Sequence, residues 1–220
     1  MPPSAVNHPI FAQIYVWLSH WMEPELAAHR RSLLAGLSGQ VLEVGAGNGL
    51  NFSHYPVAVT RVLAVEPEPH LRALAISSAA KASVPVEVVD GIADQLPADE
   101  SSVDAAVTSL VLCSVPDQAS ALAEISRVLR PGGQLRFLEH VRARSATLGC
   151  AQRLLDATIW PRIAGGCHTH RDTAAAIRQA GFTIEQLQPL RFPDFRLLTP
   201  TSPHILGIAS LPAHPGDATH

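Results

Sequence analysis

Charge is scarce in this sequence. Only 16 % of its 220 residues are Asp, Glu, Lys or Arg, against about 25 % in ordinary soluble proteins, which excludes a disordered polyelectrolyte tail. Lysine is nearly missing, Lys81 being the single one among sixteen basic residues. A net charge of −3 leaves no basic footprint for an obligatory nucleic-acid partner. Cysteine is sparse as well. Cys113, Cys150 and Cys167 are odd in number and lack C-x-x-C spacing, so they read as reduced thiols of a cytosolic protein, with neither a disulfide framework nor a zinc site. No apolar run approaches the roughly 20 residues of a membrane span; the longest, residues 105–115, is broken by Thr108, Ser109 and Ser114. The opening Met1-Pro2-Pro3-Ser4 has no charged, apolar signal-peptide pattern. The expectation is a soluble, cytoplasmic chain.

What the sequence does have is apolar content, 47 % over 220 residues. A chain of that size buries roughly 70–75 % of its unfolded surface, so one core needs no staple. No repeat or linker divides it, and a single domain spanning 1–220 is expected, with 1–36 as N-terminal helices or a lid and 211–220 as a flexible tail. Charge is uneven along it: residues 1–120 carry five basic and twelve acidic side chains, residues 121–220 eleven and seven. The basic half reads either as a field for an anionic acceptor or membrane surface, or as arginines on solvated helix faces.

Periodicity gives the elements. Ile10, Phe11, Ile14, Tyr15, Leu18, Trp21 and Met22 recur at three- and four-residue steps, predicting a first helix with one broad apolar stripe. A second helix is expected over 23–35, closing at Gly36. The period then changes. Strands are predicted at 40–44, 61–65, 84–89, 103–108 and 134–139, with helices over 69–80 and 118–129. Pro131-Gly132-Gly133 is expected to stop the second of these helices. Residues 145–180 read as mainly helical with Gly181 at the C′ position, and 182–187 with 204–209 as a final antiparallel pair. The ends, 1–8 and 211–220, read as disordered. Strands alternating with helices predict an open α/β sheet with right-handed crossovers, whose ligand lies at the carboxyl ends of the strands.

The chemistry-bearing run is Val41-Leu42-Glu43-Val44-Gly45-Ala46-Gly47-Asn48-Gly49. Glycines after a strand let the backbone turn sharply and approach a ligand closely. Some twenty residues on, Val65-Glu66-Pro67 places a carboxylate where it can accept from both hydroxyls of a ribose. The spacing is not the dinucleotide fingerprint, because Leu50 stands where G-x-G-x-x-G wants its third glycine. Glu43, just before the loop, would repel a pyrophosphate but suits a ligand bearing an ammonium and a sulfonium.

With these residues in view, the chain resembles the class I S-adenosylmethionine-dependent methyltransferases over roughly 38–210. The carriers are VLEVGAGNG (41–49), AVEPEP (64–69), ADQLPADESSVDAAV (93–107) and RVLRPGGQLRFLEHV (127–141). SLVLCSVPD (109–117), FLEHVRA (137–143) and LDATIWPRIAGGCHTHRDT (155–173) are similar to the methyltransferase-like proteins that methylate small alkyl thiols, and to small bacterial relatives. The resemblance implies a Rossmann-like, mostly parallel seven-stranded sheet with helices on both faces and an antiparallel final strand. It also implies S-adenosyl-L-methionine as cofactor and a small-molecule methyl acceptor. Gly45, Ala46 and Gly47 would lie against the methionine part and ribose, with Glu43 supporting the loop or the amino group. Glu66 would hold the ribose hydroxyls, Pro67 would pack on the adenine, Ile92 and Ala93 would flank the adenine edge, and Leu110 would face the sulfonium. Many members carry Asp where Ile92 stands; here Asp90 or Asp94 serves, or that contact is absent.

The acceptor side is less defined. His140, after a strand end, reads as a base or as a loop-tied histidine. Asp156 and Trp160, one helical turn apart, and His168 are candidates for the acceptor pocket. Cys167-His168-Thr169-His170-Arg171 holds ligand-type side chains too close together to share one ion comfortably, so no metal is expected. Residues 10–22 read as a lid, a core helix or a peripheral membrane contact. A thiol acceptor is favoured because it needs at most a modest base. The alternatives are a phospholipid headgroup amine or quinone-like ring, and a non-catalytic cofactor-binding partner protein. Oligomeric state is not legible.

Overall fold

A computed structural model describes residues 9–192 and 199–212. The ends expected to be disordered fall outside this range, except for Leu211 and Pro212. Helix α1 (Pro9–Leu34) is one continuous helix, where the sequence suggested two. Pro24 lies inside it and removes one backbone donor. The helix nevertheless continues, because Leu26, Arg30, Leu33 and Leu34 on its second half are all buried against the body.

Among the described residues seven strands follow: β1 (Gly39–Val44), β2 (Val59–Val65), β3 (Val86–Val89), β4 (Val103–Ser109), β5 (Leu129–His140), β6 (Thr183–Arg191) and β7 (Pro203–Ser210). Helices α2 (Pro69–Ala79), α3 (Gln118–Val128), α4 (Ala146–Asp156), α5 (Trp160–Ile163) and α6 (Thr173–Gln179) connect them. The sheet order is β3-β2-β1-β4-β5-β7-β6. The first five strands in that order pair in parallel, and β7 is antiparallel to both neighbours. The order reverses between β1 and β4, which opens a crevice at their carboxyl ends.

Helix α3 ends at Val128 and β5 begins at once, so Pro131-Gly132-Gly133 lies within the strand rather than between elements. The register there jumps, Val103 pairing with Leu129 but Ala105 with Gln134, so the extra residues are absorbed as a bulge. Side-chain parity then divides the core. Leu42, Val44, Leu135 and Phe137 pack toward α3 and α6, while Val41, Val62, Val107 and Leu138 pack toward α1 and α2. Among the described residues, no helix is long and apolar enough to cross a membrane.

Candidate active site

A cavity of about 420 Å³ opens at the carboxyl ends of β1 to β4. Its wall includes Gly45, Gly47, Glu66, Pro67, Ile92, Ala93 and Leu110, all singled out in the sequence. The wall also includes Glu68, Asp94 and Asp117 but, among the described residues, no Lys, Arg or His. The charge these residues contribute is that of carboxylates, which suits a cationic ligand and opposes a pyrophosphate.

Glu66 is buried at the end of β2. One carboxylate oxygen accepts from the Gly47 N–H at 2.7 Å and the other from the Glu68 N–H at 2.9 Å. Each oxygen has a second lone pair, so the carboxylate can take two further donors from the cavity. Burial raises its pKa, opposed by those two backbone donors. Glu68 in turn caps α2, accepting from Leu71 N–H at 2.7 Å. Arg72 donates to the Glu66 and Pro67 carbonyls and to Asp90, fixing the turn after β2. Asp90 is thus engaged by a guanidinium, and Asp94 is the acid of that pair that faces the cavity.

Gly47 has φ +58°, and a Cβ there would lie 3.0 Å from the Tyr15 hydroxyl. Tyr15 and Phe11 of α1 line the cavity, so the first half of this helix covers the glycine loop. Asn48 donates to Ser19 and Arg30 donates to Asn51, which fasten the helix down. The apolar stripe read in the sequence is split by this docking. Phe11, Tyr15 and Met22 turn inward, whereas Ile14, Trp17, Leu18 and Trp21 are exposed, the two tryptophans at 68 % and 58 %.

Glu43 and Ala46 do not line the cavity. Strand parity places Glu43 with Val41 under α1, where Asn51 and Tyr55 donate to its two oxygens at 2.7 Å each. It supports the loop from behind. Burial pushes its pKa up to about 7, against the lowering effect of Tyr55, Asn51 and Arg30. Leu110 has φ +61°, a left-handed conformation that costs a non-glycine residue of order 1–3 kcal/mol and clusters at functional sites.

The expected acceptor residues are placed elsewhere. Asp156 accepts from the Thr169 N–H and hydroxyl and from the His170 N–H, bracing the turn before α6. His168 Nδ1 is bonded to the Gly166 carbonyl oxygen at 2.7 Å, and neither His168 nor Trp160 lines the cavity. His140 is also off the wall. It shares strand parity with Leu138, and its ring stacks on His204 with centroids 4.0 Å apart. Its β5 neighbour Glu139, fully buried, is the residue that reaches the cavity's support: its oxygens accept from the N–H groups of Val111, Leu112 and Cys113. Burial raises the Glu139 pKa, opposed by those donors.

Gly165 and Gly166 line the cavity and were not anticipated from the sequence. A Cβ on Gly165 would meet the Phe11 ring at 2.5 Å, and one on Gly166 the Ser114 carbonyl oxygen at 2.7 Å. The G-G pair at 165–166 was the available signal. The 167–171 run disperses, but Cys167 comes to lie 3.7 Å from Cys113 Sγ and 3.3 Å from His140 Nδ1. The adjoining Cys113 sulfur lowers the Cys167 pKa, with His140 adding to the effect against burial. The hydrogen-bonded contact with Cys167, then burial, raises Cys113 in turn. The Trp160 indole N–H is buried and has no partner of good hydrogen-bond geometry; its proximity to the Cys167 sulfur favours the thiolate.

Comparison with known proteins agrees with the geometry. A family model described as "Methyltransferase domain" matches residues 42–137. The chain is 41 % identical to the thiol S-methyltransferase TMT1B of Mus musculus, covering 80 % of this chain and 73 % of that protein. It is 36 % identical to the thiol S-methyltransferase TMT1A of Homo sapiens, covering 84 % and 79 %. An S-adenosylmethionine-dependent methyltransferase from Mesorhizobium loti shares the fold at TM-score 0.61 and 20 % identity, over 84 % of this chain and 97 % of that one. The switch-point cavity with its carboxylate wall, taken with these relatives, makes the chain a member of the class I S-adenosylmethionine-dependent methyltransferase family.

Proposed function

We propose that this methyltransferase S-methylates a small thiol. S-Adenosylmethionine supplies a methyl group on a sulfonium, ready for in-line displacement by an acceptor. The observation that carries the cofactor part of this reading is the wall of four carboxylates with no cation among the described residues; the thiol acceptor rests on the thiol S-methyltransferase relatives. In it, Glu66 would accept the two ribose hydroxyls through its remaining lone pairs, and Pro67, Ile92 and Ala93 would bracket the base. Gly45, Ala46 and Gly47 keep the loop low enough for close approach, Glu43 and Tyr55 holding it from behind. Leu110, in its left-handed conformation, faces the reacting centre.

The acceptor enters between Phe11, Tyr15, Val111 and the Gly165–Gly166 turn. These walls exclude water and align the sulfur, which is where catalysis of such a displacement resides. A thiolate attacking a sulfonium yields two neutral products, so a dry cavity favours the reaction over the separated charges. With a free-thiol pKa of about 8.5, a few per cent of the acceptor is already ionised at neutral pH. His140 is therefore not required as the base. The thiol S-methyltransferase relatives support this acceptor class. Production of S-adenosylhomocysteine across a panel of alkyl thiols, amines and phenols tests it; turnover with amines or phenols and none with thiols would reverse the assignment.

The exposed Ile14, Trp17, Leu18 and Trp21 support a second property, a peripheral contact of the 10–22 segment with a membrane surface. Co-sedimentation with phosphatidylcholine vesicles that is lost in a Trp17→Ser, Trp21→Ser double variant is the expected result.

A further inference from the structure

Three groups separated by 27 and 54 positions in the chain meet beside the cavity without forming part of its wall. Cys113 lies in the loop after β4, His140 ends β5, and Cys167 begins the turn before α6. Their Sγ, Nδ1 and Sγ atoms all lie within 4.8 Å of one another. The separations are 3.7 Å between the sulfurs, 3.8 Å from Cys113 to His140 and 3.3 Å from Cys167 to His140. A zinc ion with bonds of about 2.3 Å to sulfur and about 2.0–2.1 Å to nitrogen has tetrahedral edges of about 3.8 Å between two sulfurs and about 3.5 Å between sulfur and nitrogen. The triangle has the dimensions of one face of that tetrahedron. A disulfide, by contrast, needs the sulfurs at about 2.05 Å, well inside the observed separation.

We propose that Cys113, His140 and Cys167 form a binding site for a thiophilic divalent cation of the zinc class, with the fourth position left to a non-protein ligand. Two thiolates and an imidazole are the donor set that selects zinc-like ions over magnesium or calcium. Three features suit the site to this use. Both cysteines are buried, while His140 is partly exposed, which gives an ion a way in. The His140 ring is held by its stacking on His204. The Trp160 N–H, buried and without a partner of good hydrogen-bond geometry, lies near the Cys167 sulfur, where an outer donor tunes a metal-bound thiolate. The ion would add a further tie between three segments already joined by Glu139 and by the His168 N–H donating to the Cys113 carbonyl. Two of them reach the acceptor end of the cavity through their chain neighbours Ser114 and Gly166. The sequence pattern concealed this set, because the ligand-rich run 167–171 contributes only its first residue.

The site is tested on the full chain, stripped with a chelator under reducing conditions, without cofactor or thiol substrate, so the result is independent of the methyl acceptor. Titration with Co²⁺ alone should give the visible bands of a tetrahedral ion and a near-ultraviolet thiolate-to-cobalt band, saturating at one equivalent and displaced by Zn²⁺. Zinc should also protect two of the three thiols from alkylation and raise Tm. Cys150→Ser, altering the exposed cysteine, should preserve all of these. Cys113→Ser, Cys167→Ser and His140→Gln should each weaken binding by more than the roughly 10–100-fold that outer-shell changes cost. If a variant fails to fold, competition on the wild type still decides: failure of Zn²⁺ to displace bound Co²⁺ and to raise Tm overturns the site. So does an absence of cobalt bands, or their survival in the Cys113 and Cys167 variants. Ready formation of a Cys113–Cys167 disulfide in mild oxidant, with no metal taken up by the reduced protein, would likewise overturn it in favour of a redox pair.

Discussion

The cofactor half and the acceptor half of the cavity are built differently. In the first, these carboxylates are held from within one β–α–β unit, residues 43–71: Glu66 by the Gly47 and Glu68 N–H groups, Glu68 by Leu71, and Glu43 by Asn51 and Tyr55. In the second, the supports span the chain. Glu139 holds the loop at 111–113, His168 N–H donates to the Cys113 carbonyl, and Arg171 donates to the carbonyls of Leu112 and Val115. A locally assembled site is a property of a strand–loop–helix unit. A site assembled across the chain can change its acceptor by altering loops while the cofactor unit stays intact.

That contrast is sharpest at Glu66. Glu66→Ala removes two hydrogen bonds to a charged acceptor, each contributing about 1.5–3 kcal/mol, and also leaves the Gly47 N–H unpaired. Affinity for S-adenosylmethionine should fall at least about a hundredfold by titration calorimetry; unchanged affinity would remove Glu66 from the site.

Glu43 gives the next largest effect, read as stability. Its folded pKa of about 7 stands above the ordinary 4.5, so the native state binds its proton more tightly than the unfolded chain. The stabilisation is complete below about pH 4.5 and is lost as pH rises through 7, a span of roughly 3 kcal/mol. Glu66 and Glu139 are raised in the same direction, so the measurement is the difference between wild type and Glu43→Gln. Urea denaturation from pH 5 to 8 should show a shallower loss in the variant. Parallel curves would mean that Glu43 remains ionised throughout.

Gly166→Ala addresses the other half. With φ +87° and a Cβ 2.7 Å from the Ser114 carbonyl oxygen, alanine should cost about 1–3 kcal/mol of local strain and displace the acceptor wall. The expected outcome is a fall in kcat/KM for the thiol of roughly tenfold or more, with cofactor affinity little changed. A matching loss of cofactor affinity would show that the two halves are one unit.

The smallest effect belongs to the outer face of α1. Trp17→Ser with Trp21→Ser alters exposed side chains, so stability should change by no more than about 0.5 kcal/mol per site, and turnover of a water-soluble thiol should stay near wild type. A large loss in solution would place these residues in the lid's function rather than on its outer surface.

The sequence by itself determined the α/β alternation, the glycine loop and the carboxylate at the end of β2, because these depend on period, turn chemistry and residues within one βαβ unit. It also contained the G-G pair at 165–166, but the requirement for glycine there comes from Phe11 and Ser114, which only folding brings near. Tertiary structure alone decided that α1 runs through Pro24 as one helix, since packing of Leu26, Arg30, Leu33 and Leu34 outweighs one missing donor. It decided that Glu139 rather than His140 supports the cavity, since adjacent residues on a strand face opposite sides and the pairing sets which side is which. The meeting of Cys113, His140 and Cys167 is of the same kind: no spacing rule joins residues delivered by three separate crossovers to the ends of neighbouring elements.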